Sequence, residues 1–219
     1  MGGTRMLLEV NHITGKKKGF HLQDIHFSLE EGYLLGITGK NGAGKTTLFR
    51  YIMEQKSQYD GEILLDGKNI QTNREEAMNK IGFVSEERIF FENYTIAGNA
   101  ELLGIFYQLW DQKKFEELIE KMGLKLGMKL GRLSRGERIK FQIAFAVAQK
   151  PRLYLMDEPT AGMDPIFRKE FFRIVQELLM DGDSSVIMTS HIQEEIEEKM
   201  DIKAVMDKGR LISYKEAYQ

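Results

Sequence analysis

Gly39-Lys40-Asn41-Gly42-Ala43-Gly44-Lys45-Thr46 is the stretch that decides the fold of this 219-residue chain. It fits the pattern G-x-x-x-x-G-K-T, in which glycines let the backbone turn tightly so that successive N–H groups point at one anion. The positive end of the following helix, the Lys45 ammonium and the Thr46 hydroxyl complete a site for a polyphosphate and its Mg²⁺. The motif therefore predicts binding of a nucleoside triphosphate.

The residues on either side of this loop fit a buried strand and a helix. Residues 33–38 form a short apolar run, as expected for a parallel strand that is covered on both faces. Residues 47–52 continue as a helix. Strand, loop and helix in this order are the context that the phosphate-binding mechanism requires.

Composition narrows the class of protein. A hydrophobic content of 42% and a charged content of 29% are ordinary for a soluble globular protein. A net charge of −2 gives no basic field for nucleic acid, and the lack of cysteine excludes disulfides and thiol catalysis. The longest apolar run, residues 143–148, is too short to span a bilayer, and the N-terminus has no secretion-signal core. We therefore expect any membrane role to come through a partner.

Together with the phosphate loop, the hydrophobic pattern predicts an α/β fold of the phosphate-loop NTPase class with an inserted helical subdomain. Residues 6–10 and 20–29 alternate apolar and polar side chains, which indicates a half-buried antiparallel sheet near the N-terminus. Residues 94–123 change to a helical period. Four short runs have the composition of further strands: 62–67, 81–84, 153–156 and 186–189. We predict one domain with a mixed-sheet core and β subdomain at 1–86 and 151–219, and a helical subdomain at 87–150.

Acidic residues follow one of the buried runs, as a phosphate loop requires of its partner strand. Asp157 would hold Mg²⁺ through its water ligands, and Glu158 would orient the water that attacks the γ-phosphorus. The 157 − 45 = 112 residues between Asp157 and Lys45 leave room for the helical insertion. His191 follows another apolar run, where open α/β sheets collect ligand groups, and is a candidate γ-phosphate contact. The simpler alternatives are a surface turn for the acids and a structural role for the histidine.

A helix start with phosphate-binding character precedes these acids. Ser134 and Glu137 have the spacing of a capping box before a long helix, predicted at 138–149. Gly136 within this start leaves backbone donors accessible at the positive end of the helix dipole. Such a helix end can bind phosphate.

Together these pieces resemble the nucleotide-binding domain of the ATP-binding cassette (ABC) transporters, and the resemblance covers nearly the whole chain. The matching stretches are Walker A at 39–46, the signature motif at 133–137, Walker B at 153–157 with Glu158 as catalytic base, the D-loop at 161–164 and the switch histidine at His191. The family's signature is usually Leu-Ser-Gly-Gly-Gln, and here it is Leu-Ser-Arg-Gly-Glu.

The resemblance assigns a role to each matching residue. It implies ATP contacts at Gly39, Asn41, Gly42, Ala43, Gly44, Lys45, Thr46, Thr47 and Asp164, with Ser134 and Gly136 acting in trans on the γ-phosphate of a second subunit. It implies catalysis by Glu158, His191 and Lys45, and Mg²⁺ binding by Thr46, Glu86 and Asp157. Two ATP molecules would then join a head-to-tail pair of subunits, which hydrolysis releases.

Three departures from the family pattern bear on the function. Glu86 stands where the Q-loop normally has Gln, which adds a negative charge beside the metal. The aromatic residue that stacks on adenine is expected near Lys17, and Phe20 is the nearest candidate, with a core role as the alternative. Arg135, at the third signature position, is similar to exporter-type ATPases that pair with a separate permease for drugs, antibiotics, antimicrobial peptides or sodium.

The resemblance thus implies an ATPase that uses ATP and Mg²⁺ at the cytoplasmic face of the cell membrane, bound there through transmembrane permease subunits. Its second ATPase would be another copy of the chain or a homologue. A groove in the helical subdomain would receive the permease, with Phe90, Phe91 and Tyr94 as wall candidates. Two alternatives stay open: an ABC-type ATPase that acts on DNA or ribosomes, and a module that ATP merely switches.

Overall fold

The order of strands and helices follows the predicted α/β alternation. The computed structural model describes residues 6–15, 21–55, 58–85, 87, 89–180, 182–192 and 198–216. The strands are β1 Met6–Gly15, β2 Ile25–Glu30, β3 Leu34–Thr38, β4 Tyr59–Leu65, β5 Lys68–Asn69, β6 Ile81–Ser85, β7 Leu153–Asp157, β8 Ser185–Thr189, β9 Ile202–Asp207 and β10 Arg210–Glu216. The helices are α1 Lys45–Ile52, α2 Arg74–Asn79, α3 Ile96–Gly104, α4 Gln112–Lys121, α5 Arg135–Ala148 and α6 Pro165–Leu179.

The strands form two sheets. The larger has the order β10-β9-β3-β8-β7-β6, in which β10 is antiparallel to β9 and the other neighbours are parallel. The smaller has the order β2-β1-β4-β5 and is antiparallel throughout. The predicted mixed-sheet core and N-terminal antiparallel sheet are therefore confirmed.

The larger sheet separates two hydrophobic cores, because successive residues of its strands point to opposite faces. On one face, Leu35, Leu153 and Ile187 pack with the small sheet and α1. On the other face, Tyr154 and Met156 pack with the helices α3 to α6. Both faces are covered, which explains why these strands are continuous apolar runs rather than alternating ones.

The helices α3, α4 and α5 form a helical block between β6 and β7, which are neighbouring parallel strands. Within the predicted helical stretch 94–123 the structure has two helices, α3 and α4. Thr95 caps α3 and Asp111 caps α4, and the connecting turn brings the Trp110 ring against Gly104 and Phe145. The domain limits given above stay a prediction. Within the described part of the chain, no helix combines the length and apolar character that a membrane crossing needs.

The helix predicted at 138–149 begins three residues earlier, at Arg135. Ser134 is its N-cap: the Ser134 hydroxyl accepts from the Glu137 N–H, and the Glu137 side chain accepts from the Ser134 backbone N–H. This reciprocal pair satisfies two of the free backbone donors at the helix start, which fixes the first turn.

An aromatic cluster forms the centre of the helical block. Phe141 of α5 is fully buried and meets the rings of Phe90 and Phe115 edge-on, at centroid distances of 4.8 and 6.2 Å. Phe145, one turn further along α5, contacts the same two rings. This arrangement ties α4 and the segment after β6 to α5.

We expect Phe141→Ala to lower the free energy of unfolding by about 3–5 kcal/mol, because it opens a cavity among rings that cannot collapse into the space. Urea unfolding would measure this. Phe106→Ala is the matched control, since 71% of the Phe106 side chain is exposed, and it should cost less than about 1 kcal/mol. Equal losses in the two variants would contradict the proposed role of the cluster.

Candidate nucleotide site

The phosphate loop joins the end of β3 to the start of α1, and its first glycine is required by a close backbone approach. Gly39 has a φ of +151°, and a Cβ on it would lie 2.3 Å from the carbonyl oxygen of Met206 in β9. The turn between β9 and β10 also holds the loop, because the Gly209 N–H donates to the Ala43 carbonyl at 2.8 Å. The larger sheet therefore fixes the loop from its neighbouring strand.

Lys45 lies at the floor of this loop with 6% of its surface exposed. Its ammonium donates to the Gly39 carbonyl at 2.8 Å and lies 3.3 Å from Oε1 of Glu158. A buried ammonium needs such partners, because its transfer from water is costly. A phosphate bound by the loop would meet this charge directly.

Asp157, at the end of β7, accepts two short hydrogen bonds. Thr46 donates to Oδ2 and Thr189, at the end of β8, donates to Oδ1, each at 2.6 Å. The Thr189 hydroxyl also accepts from the Glu158 N–H at 2.9 Å. Thr189 thus connects both acids, a role that the sequence analysis missed. The register across β7 and β8, which pairs Asp157 with Thr189, is what creates it.

The Glu158 carboxylate lies between the Lys45 ammonium and the His191 imidazole. Oε1 faces Lys45 at 3.3 Å, and Oε2 lies 3.3 Å from Nδ1 of His191. Glu158 has a φ of +48°, which is unusual for a residue with a Cβ. This left-handed backbone, held by the bond to Thr189, directs the side chain back over the phosphate loop.

An open cleft of about 640 Å³ lies over the loop. It is lined by Asn41, Gly42, Ala43, Gly44, Lys45, Thr46, Thr47, Ser85, Glu87, Asp157 and Glu158. The structure thus brings together most of the predicted nucleotide residues from one chain. Gly39 contributes its carbonyl from below, and His191 reaches the cleft through Glu158. Glu86 and Phe20 lie outside the described residues, so the metal and adenine contacts predicted for them stay predictions.

The segment beside Glu86 is anchored by a residue that the sequence analysis also missed. Gln142 of α5 is buried and exchanges two hydrogen bonds of 2.8 Å with the backbone N–H and carbonyl of Ser85. The Gln142 side-chain amide thus bonds to the end of β6 as the backbone of a neighbouring strand would, and it connects β6 to the helical block. The cleft wall at Ser85 and Glu87 is therefore positioned by α5.

The donors near Asp157 suit Mg²⁺. A carboxylate oxygen of Asp157 and the hydroxyl of Thr46 are hard oxygen ligands, and they lie side by side at the edge of the phosphate loop. Mg²⁺ is usually held by one or two protein oxygens together with substrate phosphates and water, so a larger cluster is not needed. The residues present fit the ion.

Ser134, Gly136 and Asp164 do not line the cleft of their own chain. Ser134 is exposed at the start of α5, and its hydroxyl donates to the Glu137 carboxylate at 2.8 Å. Hydrogen bonds from the Ser134 backbone and side chain hold the pKa of Glu137 below its ordinary value. Asp164 caps α6, and bonds from the N–H groups of Phe167 and Ile166 lower the pKa of its carboxyl.

Comparison with known proteins finds similarity over most of the chain. A family model described as ABC transporter matches residues 22–161, which is more than half of the chain. The bacitracin transport ATP-binding protein of Bacillus licheniformis is 31% identical over 86% of this chain and 62% of its own length. The linearmycin resistance ATP-binding protein of Bacillus subtilis is 34% identical over 88% of this chain and 63% of its own length. The methionine import ATP-binding protein of Corynebacterium jeikeium is 31% identical over 94% of this chain and 58% of its own length. The chain thus spans about three fifths of the length of these relatives.

Solved structures share the fold. An ATP-binding subunit of an ABC transporter has a TM-score of 0.86 and 24% identity, covering 96% of this chain and 90% of that one. An ATP-binding cassette in a dimeric, post-hydrolysis state bound to ADP and phosphate has a TM-score of 0.85 and 21% identity, covering 97% and 100%.

We expect Thr189→Val to lower the free energy of unfolding by about 1–3 kcal/mol, because the nearly isosteric change leaves the Glu158 N–H and one Asp157 oxygen without their partner. Thr38→Val is the matched control: the Thr38 hydroxyl makes one long bond of 3.3 Å to the Ala204 carbonyl, so its loss should cost under about 1 kcal/mol. Urea unfolding of both variants measures the difference. A Thr189→Val protein as stable as the parent would contradict the bridging role.

Proposed function

The chain belongs to the ABC transporter family as one of its ATP-binding domains, which are ATPases, and from that premise we propose that it hydrolyses ATP to power export through a separate membrane permease. The observation that carries this proposal is the position of the Glu158 carboxylate, which lies between Lys45 and His191 at the mouth of a phosphate loop. This arrangement suits attack by water on a bound γ-phosphate.

In this proposal each side chain acts where the geometry places it. Lys45 and the loop N–H groups bind the β- and γ-phosphates, and Glu158 orients and polarises the attacking water as general base. His191 holds the second Glu158 oxygen and contacts the γ-phosphate. When bound at Thr46 and Asp157, Mg²⁺ would neutralise phosphate charge.

A second subunit is needed to complete the site. The start of α5, with the Ser134 side chain and the Gly136 backbone, presents the positive end of a 14-residue helix away from the cleft of its own chain. In a head-to-tail pair, these groups would cap the γ-phosphate bound to Lys45 of the partner. ATP would favour this closed pair and ADP would not, because the partner's helix touches the group that ADP lacks. The dimeric, post-hydrolysis cassette noted above has the same fold.

The permease would bind in a groove between the helical block and the larger sheet. The groove has a volume of about 530 Å³ and is mostly apolar, and among the described residues that line it Glu75 carries the only formal charge. Phe90 and Phe106 belong to its wall, whereas Phe91 and Tyr94, also predicted there, lie outside it as half-exposed rings in contact with each other. Such a groove suits the apolar face of a short helix. The permease would thereby hold this chain at the cytoplasmic face of the membrane.

The proposed direction of transport is export. Its support is Arg135 at the third signature position, together with relatives named for bacitracin transport and linearmycin resistance. We propose a peptide, antibiotic or drug as cargo. Because a relative named for methionine import is 31% identical, direction needs its own test.

We expect Glu158→Gln to bind ATP, to form a stable ATP-dependent dimer and to hydrolyse ATP about 100-fold more slowly or worse, because it removes the general base and keeps the side-chain shape. Light scattering and a steady-state Mg²⁺-ATPase assay measure both effects. The control is Lys45→Ala, which should lose ATP binding in calorimetry. A parent chain without ATPase activity would overturn the enzymatic proposal in favour of an ATP-switched module.

We expect the tagged chain, purified from its native host's membranes in mild detergent, to bring down a polytopic membrane protein in stoichiometric amount. Phe106→Glu should abolish this recovery, because it places a charge in the apolar groove. Ile212→Glu is the matched control, since Ile212 is a similarly exposed apolar residue on β10. Recovery of ribosomes or DNA in place of a membrane protein would overturn the transport proposal and leave the ATPase intact.

The same purified complex, reconstituted into sealed vesicles, tests the direction of transport. For an exporter of peptide antibiotics whose ATP-binding subunits face outward, bacitracin should accumulate inside the vesicles when Mg²⁺-ATP is added outside, and methionine should not. Movement of methionine out of the vesicles, toward the side of the ATP, would contradict export.

A further inference from the structure

Arg135 differs from the glycine that is usual at its position, and the proposed ATP chemistry gives it no task. We propose that Arg135 is a positioning residue that clamps the D-loop, residues 161–164, to the start of α5 in the same chain. The two elements that face the partner subunit would then move as one body. This inference rests on the proposed dimeric ATPase.

The first observation is a close approach between Arg135 and the D-loop backbone. Gly162 has a φ of +66°, and a Cβ on it would lie 2.6 Å from Nη1 of Arg135. The guanidinium therefore occupies the space that any side chain at position 162 would fill. A guanidinium is planar and more weakly hydrated than a lysine ammonium, so it suits such a close approach better.

The second observation is that the next residue of α5 packs on the same element. A Cβ on Gly136 would be in van der Waals contact with the Phe167 ring at 3.6 Å and with Sδ of Met163 at 3.8 Å. The first turn of α5 thus lies against both the D-loop and the first turn of α6. The contact extends beyond a single flexible side chain.

The D-loop in turn connects this contact to the catalytic centre. The Ala161 N–H donates to the Glu158 carbonyl and the Met163 N–H donates to the Thr160 carbonyl, each at 3.1 Å. Thr160, Ala161 and Met163 are buried, so these consecutive turns have little room to move independently. A shift of α5 when it meets the partner's ATP would therefore be transmitted to the backbone of Glu158.

This placement predicts which step depends on Arg135. The residue does not line the nucleotide cleft of its own chain, so the monomer's affinity for ATP should not need it. It should instead affect the closed dimer, in which α5 and the D-loop must fit the partner together. Loss of the clamp would lower kcat and ATP-dependent dimerisation.

A double-mutant cycle tests the clamp in the full chain, with Arg135→Ala, Gly162→Ala and the double variant, each also combined with Glu158→Gln for the dimerisation assay. We expect each single change to weaken ATP-dependent dimerisation about 5- to 20-fold. The loss in the double variant should be smaller than the product of the two single losses, because both changes break one contact. ATP affinity of the monomer and the unfolding midpoint of Arg135→Ala should equal those of the parent.

The cycle distinguishes a clamp on the D-loop backbone from a purely electrostatic role of Arg135. Backbone strain from alanine at position 162 is present on both sides of the cycle and cancels in the coupling energy. Additive effects of the two changes would show that Arg135 acts only through its charge and would overturn the clamp. The same conclusion would follow if Arg135→Lys kept full dimerisation and kcat and Gly162→Ala lost neither. A parent chain that neither hydrolyses ATP nor dimerises overturns the proposed function and the clamp with it. An active, ATP-dimerising parent with an additive cycle overturns the clamp alone.

Discussion

The hydrogen bonds that Asp157 accepts from Thr46 and Thr189 are the constraint on which the site depends. They join the helix after β3 to the ends of β7 and β8, and these three strands are neighbours in the larger sheet. Because parallel strands all end at one edge, a carboxylate there can be shared between two hydroxyls without any long connection. The sheet order thus provides the geometry, and the side chains fix it.

The same arrangement fixes the backbone conformation of Glu158. Its backbone N–H is fixed by Thr189, and its left-handed conformation directs its carboxylate toward Lys45 and His191. Left-handed backbone costs about 1 kcal/mol or more for a residue with a Cβ, so it persists only where surrounding contacts require it. Here those contacts come from the same threonine that holds Asp157. The proposed metal site and the proposed catalytic base are therefore positioned by one structural unit.

The local part of this site could be predicted from the sequence, and the part that depends on register could not. Lys45, Thr46 and Asp157 lie in contiguous motifs whose spacing carries the chemistry. Thr189 gains its role only from pairing with Asp157 across β7 and β8, and Gln142 only from reaching Ser85 from a helix that lies 57 residues further along the chain. The division of the helical stretch 94–123 into two helices near Trp110 also depends on packing. Its periodicity continues through the turn, and packing against Phe145 determines where the helices end.

A protein that responds to a partner needs some elements that are fixed at its own site and others that are exposed on its surface. The phosphate loop is fixed, because β9 approaches Gly39 within a distance that no side chain permits. The start of α5 is offered outward, with Ser134 exposed at its N-terminus. The D-loop lies between them, since one end continues from Glu158 and the other touches α5. Any coupling between the ATP that we propose this chain binds and the ATP that it would cap on its partner has a route through this short segment, because the described contacts provide a continuous path there.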